Sequence, residues 1–106
     1  MKQFLTKLRG GEEVTLSALG DSLTHGYLVP FGYLDMVETK LREDSPGNRL
    51  SVLNHGLCGD TVFGGNSRAA KAFYQPQPDL GFIEFGLNDC FQGMPASQFE
   101  GSLRHL

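Results

Sequence analysis

Three short β-prone runs, each closed by a glycine or asparagine and separated by helical patterns, constrain the fold of this chain most. Val14-Thr-Leu-Ser-Ala-Leu19 ends at Gly20, Leu50-Ser-Val-Leu53 at Asn54, and Leu80-Gly-Phe-Ile-Glu-Phe85 at Gly86. All three are of strand length and stop at a turn-forming residue. Between them, Leu34, Val37 and Leu41 trace a helical stripe after Pro30, terminated by Ser45-Pro46-Gly47-Asn48. Ala69, Ala70 and Phe73 indicate a shorter helix, ended by Gln75-Pro76-Gln77-Pro78. Phe4, Leu5 and Leu8 form a helical patch before Gly10-Gly11, and Phe99, Leu103 and Leu106 form another after Pro95. Strands alternating with helices imply right-handed crossovers and a parallel sheet covered on both faces. The expected fold is therefore a three-layer α/β/α domain with a flavodoxin-like parallel sheet. It is a single unit over residues 1–106 that stops after the third strand–helix pair.

Composition excludes several function classes. A net charge of -3 leaves no basic stripe to displace counterions from a phosphate backbone, so no nucleic-acid partner is expected. Lys2, Lys7 and Arg9 form the only basic cluster, and it is sparse. No apolar stretch approaches membrane-spanning length. Phe4 and Leu5 are followed at once by Thr6 and Lys7, which is no signal-peptide core, so a cytoplasmic location is expected. The two cysteines, Cys58 and Cys90, are read as reduced thiols filling loop cores. Their spacing matches no zinc pattern, and a metal or redox site built from them with His25 or His55 is the weakest reading. No cofactor is expected.

A parallel sheet binds ligands at the carboxyl ends of its strands, near the point where strand order reverses. The turns that would lie there read Gly20-Asp-Ser-Leu-Thr-His-Gly-Tyr27, Asn54-His-Gly-Leu-Cys-Gly-Asp-Thr61 and Gly86-Leu-Asn-Asp89. All are polar and carry glycine. In this order they closely resemble the blocks of the GDSL-like lipase/acylhydrolase family, the SGNH hydrolases. Gly20-Asp21-Ser22-Leu23-Thr24 with Gly26-Tyr27 is similar to the first block, Asn54 with Gly56 and Cys58-Gly59-Asp60-Thr61 to the second, and Gly86-Leu87-Asn88-Asp89 to the third.

The resemblance implies a serine esterase or lipase with Ser22 as nucleophile. It also implies an oxyanion hole formed by the Ser22 and Gly59 N–H groups and the Asn88 side chain. Attack on an ester carbonyl builds negative charge on one oxygen, and each preplaced donor removed typically costs about 3–4 kcal/mol of barrier. Glycine at 59 is expected to let the backbone approach closely. More ordinary roles are open too: Ser22 as a helix cap, Asn88 and Asp89 as turn residues. Asp21 and Asp60 are expected to hold loop backbone or charge partners. Glu84 is expected to be a buried carboxylate with hydrogen-bond partners.

The family's base, the histidine of an Asp-x-x-His block, has no counterpart: none of His25, His55 and His105 follows an aspartate by three residues. Without a base, a serine hydrolase loses on the order of a million-fold in rate. The chain alone is thus expected to be nearly inactive on its small ester or acylated substrate. The alternative is a non-catalytic binding or assembly module on the same fold. The third strand is expected to be an open edge, completed by another copy or by a complementing C-terminal half. Leu28-Val29-Pro30-Phe31 and Cys90-Phe91-Gln92-Gly93-Met94 are candidate linings of an apolar pocket.

Overall fold

The computed structural model describes all residues from Met1 to Leu106. Three strands, β1 (Glu13–Gly20), β2 (Arg49–Gly56) and β3 (Leu80–Glu84), form one parallel sheet in the order β2-β1-β3. The helices are α1 (Lys2–Arg9), α2 (Ser22–His25), α3 (Tyr33–Asp44), α4 (Val62–Ala69), α5 (Leu87–Phe91) and α6 (Ala96–His105). A π-helical turn over Ala70–Tyr74 extends α4.

Strand register divides the apolar residues between two layers. Leu16 lies opposite Val52 and Leu80, and Ala18 opposite Asn54 and Phe82, so these share one face. On that face Val14, Leu16, Ala18 and Leu50 pack with Phe4 and Leu8 of α1 and Leu34 of α3. The other face of β1 carries Ser17, whose buried hydroxyl donates to the Ala72 carbonyl at 2.7 Å. The helical segment from Val62 to Tyr74 thus covers the sheet on that side, with Val62, Ala69 and Ala72 buried. At the far end Lys7 pairs with Asp79 at 2.9 Å, so one of the few N-terminal cations is held against the start of β3.

The α/β/α layering agrees with expectation; two boundaries and the placement of the cysteines do not. β2 runs to Gly56, past Asn54, because it pairs with β1 along its whole length. The helix anticipated around Ala69 begins at Val62, despite Gly64 and Gly65. Its first N–H is capped from outside by Asp89 Oδ1 at 2.9 Å. Gly65 admits the Phe85 ring so closely that a Cβ there would overlap it. Cys58 and Cys90 are exposed free thiols and do not fill loop cores. No helix is long and apolar enough to cross a membrane.

Candidate active site

Chain order places β3 on the opposite side of β1 from β2, so strand order reverses between β1 and β3. A crevice opens at the carboxyl ends of such a pair. The turns after β1 and β3, which carry Ser22 and Asn88, flank it, and the turn after β2 reaches it through Asp60.

Ser22 is the first residue of α2 and is half-buried. It is not the cap. Asp21 fills that role, its Oδ1 accepting the Leu23 N–H at 2.9 Å. The Ser22 hydroxyl is engaged by no other group of the chain, and its N–H donates to none. A first-turn N–H has no partner inside its own helix, so it points outward unspent.

Gly59 stands exposed in the turn between β2 and α4, with φ at 80° and an N–H that also has no acceptor within the chain. A Cβ at this position would meet nothing within 4 Å. The left-handed backbone favours glycine here, and the open space leaves the N–H accessible.

Asn88, the second residue of α5, donates through Nδ2 to the Asp60 carbonyl at 2.9 Å. That bond ties the turn after β3 to the turn bearing Gly59. The amide nitrogen carries two hydrogens, and this contact uses one. The neighbouring Asp89 is buried and structural, since it caps α4.

Arg68 had no signal in the sequence beyond a cation eight residues after Asp60. It reaches from α4 across the strand ends, donating to the His55 carbonyl at 2.7 Å and the Gly20 carbonyl at 3.1 Å. Its Nε also donates to Asp60 Oδ2 at 3.0 Å. One guanidinium thereby joins β1, β2 and the Gly59 turn, a use of the planar five-donor fork that lysine cannot reproduce.

Glu84 closes β3. Its Oε1 accepts Thr24 Oγ1–H at 2.8 Å and the Asp21 N–H at 3.4 Å. Burial raises the Glu84 carboxyl above its ordinary value, and the Asp21 carboxyl beside it pushes the same way. Thr24 Oγ1 also lies 2.8 Å from the Tyr33 hydroxyl.

None of the three histidines forms an ion pair with a carboxylate. His55 is held below its usual range, first by burial and then by Arg68 and Lys71, and no acid orients it. His25 and His105 are exposed. No group of three His, Cys, Asp or Glu side chains is arranged to hold a metal ion.

A depression of about 460 Å³ opens beside Ser22, lined by Leu23, Tyr27, Val29, Phe31 and Tyr33. A second hollow of about 270 Å³, lined by Cys90, Met94 and Phe99, follows β3. A larger one of about 510 Å³ lies beside α1 near Lys7 and Asp79, at the other end of the strands, and contains no nucleophile.

Polar turns gathered at the switch point of a parallel sheet define an α/β protein whose crevice lies between β1 and β3. Residues 18–106 match the model of the GDSL-like lipase/acylhydrolase family, and the chain belongs to that family. It is 34% identical over 93 residues to an arylesterase of Vibrio mimicus, covering 86% of this chain and 46% of that protein. It is 31% identical over 94 residues to esterase TesA of Pseudomonas aeruginosa, covering 87% of this chain and 46% of that protein. Among solved structures, the SGNH-hydrolase family esterase AlinE4 superposes with a TM-score of 0.77 at 30% identity, over 90% of this chain and 51% of that one. The chain therefore spans about half the length of the relatives it matches.

Proposed function

We propose that this chain carries the nucleophile and oxyanion-binding part of a carboxylic ester hydrolase acting on small ester or acylated substrates. Ser22 Oγ attacks the carbonyl carbon. The Ser22 N–H, the Gly59 N–H and the second Asn88 Nδ2 hydrogen receive the developing oxyanion. The observation that carries this reading is the unspent donor set: two backbone N–H groups without acceptors and a half-used amide, on turns at one end of one sheet. Such donors, fixed before the reaction, need no reorganisation as charge develops. The apolar depression next to Ser22 suits an acyl or aryl group.

The general base comes from outside these residues, since no histidine here has an orienting carboxylate. It arrives with the polypeptide that completes the sheet at β3, an edge strand whose Ile83 is 43% exposed. That polypeptide is a complementing C-terminal half; another copy would cover the β3 edge but bring only the same three histidines.

The test is phosphonylation by a fluorophosphonate, in which an oxygen–phosphorus bond forms as fluoride leaves. Adduct mapping by mass spectrometry should place the label on Ser22 and show none after Ser22→Ala. Added imidazole should accelerate the reaction by supplying the absent base. Equal labelling of the Ser22→Ala protein, or saturable ester binding with no adduct even with imidazole, would overturn the reading. The second of these results would favour a non-catalytic binding module.

A further inference from the structure

The proposed reaction leaves the buried carboxyl beside Ser22 unused. Asp21 is fully buried; its Oδ1 caps α2, but its Oδ2 has no hydrogen-bond partner. A buried acceptor left unsatisfied is costly, and the part-buried Glu84 carboxylate beside it would add like-charge repulsion. The Glu84 carboxyl abuts the Asp21 turn, its Oε1 lying 3.4 Å from the Asp21 nitrogen. Its own Oε1 is already occupied by Thr24 and the Asp21 N–H. The remaining groups around the pair are Thr24 of α2 and Tyr33 of α3, both neutral. No basic side chain pairs with either carboxyl. A single proton resolves both problems, because a neutral Glu84 donates to the orphaned Asp21 Oδ2 and the two like charges become one.

The location gives this bond a further consequence. Asp21 immediately precedes Ser22, while Glu84 sits four residues before Asn88, and Gly20 and Glu84 are register partners at the ends of their strands. A Cβ at Gly20 would overlap Thr24 Oγ1 and crowd the Glu84 carbonyl, so the backbone is packed tightly around the pair. We infer that Asp21 and Glu84 share one proton, and that Glu84 is thereby a positioning residue that fastens the Ser22 turn to the strand presenting Asn88. The positioning role in catalysis rests on the hydrolase reading above; the shared proton does not.

Carboxyl-carbon NMR titration and amide hydrogen exchange test this on the chain itself, without any turnover. Glu84 should titrate above the ordinary glutamate range, and Asp21→Asn should shift that titration. After correction for intrinsic exchange, protection of the Leu23 amide should fall as Glu84 ionises. Glu84→Gln, whose amide donates permanently to Asp21, should keep the protection and abolish its pH step. Glu84→Ala should lose it by about ten- to a hundredfold at every pH, the range expected for a hydrogen bond to a charged group. Amides in the middle of β1 serve as the control for global unfolding. An ordinary Glu84 titration that ignores Asp21→Asn would overturn the inference, as would Glu84→Gln behaving like Glu84→Ala. Failure of Ser22 to accept a fluorophosphonate, with these titrations as expected, would instead remove the hydrolase reading and leave the shared proton standing.

Discussion

Arg68→Ala should be among the most damaging single changes outside the apolar core. It strips a donor from the His55 and Gly20 carbonyls and leaves the Asp60 carboxylate without its cation. Breaking a fully buried ion pair from one side costs about 3–5 kcal/mol. Here the Arg68 side chain is 25% exposed and that of Asp60 11%, so water partly replaces what is lost. Asp60 also keeps the Thr61 N–H on Oδ1, and Gly20 keeps the Leu57 N–H. The expected loss is therefore about 2–3 kcal/mol, below the fully buried range. At about 4 °C per kcal/mol for a chain of this size, Tm should drop by about 10 °C. Arg68→Lys retains charge but cannot span three acceptors, and should lose about half as much. Urea denaturation is the assay, with the midpoint shifting at constant slope. A double-mutant cycle with Asp60→Asn should return a coupling of about 1 kcal/mol or more. If Arg68→Ala and Arg68→Lys both lie within about 0.5 kcal/mol of the parent, the guanidinium does not clamp the strand ends, and the reasoning fails.

Gly59→Ala should cost about 1 kcal/mol from its left-handed backbone alone, with no steric penalty, and circular dichroism should show an unchanged fold. A larger loss would mean the turn is packed more tightly than the open space around Gly59 indicates. Ile83→Lys should weaken any self-association through β3, read by sedimentation velocity, and leave secondary structure intact. Undiminished association would place the contact elsewhere. The raised Glu84 carboxyl makes the folded state hold more protons than the unfolded chain above pH 4.5, so that contribution to stability is complete below this value. It is lost as pH rises through the folded value, and Glu84→Gln should flatten this limb of a pH series of urea midpoints. Asp79 acts in the opposite sense: its hydrogen bond from Lys7 holds it below 3.8, so its contribution is lost as pH falls through that lowered value.

Sequence legibility followed locality. The strands and polar turns were readable because Gly20 and Gly86 interrupt apolar runs, whereas the end of β2 was misplaced at Asn54, which pairs on with β1; chain order then placed the turns along one sheet edge. Helix α4 was read short because Phe63-Gly64-Gly65-Asn66 has poor helix propensity. Its start is set by a cap from Asp89, 27 residues away. Ser22 was an ambiguous cap in sequence because Asp21 and Ser22 both suit the position, and only the backbone angles distinguish them. Arg68 was invisible because its partners come from three separate segments. Glu84 stood out as a carboxylate within an apolar strand, but its neighbours Asp21 and Thr24 are more than fifty residues distant.

The two exposed thiols have a practical consequence. Cys58 adjoins Gly59 and Cys90 lies two residues after Asn88, and the chain contains no other cysteine. A pair of thiol-reactive spin labels would therefore settle on the two turns that the Asn88–Asp60 bond holds together, with no engineered position. The distance distribution between them would measure directly how rigid the proposed oxyanion site is before any substrate arrives. The fold carries its own molecular ruler at the place where a fraction of an ångström matters most.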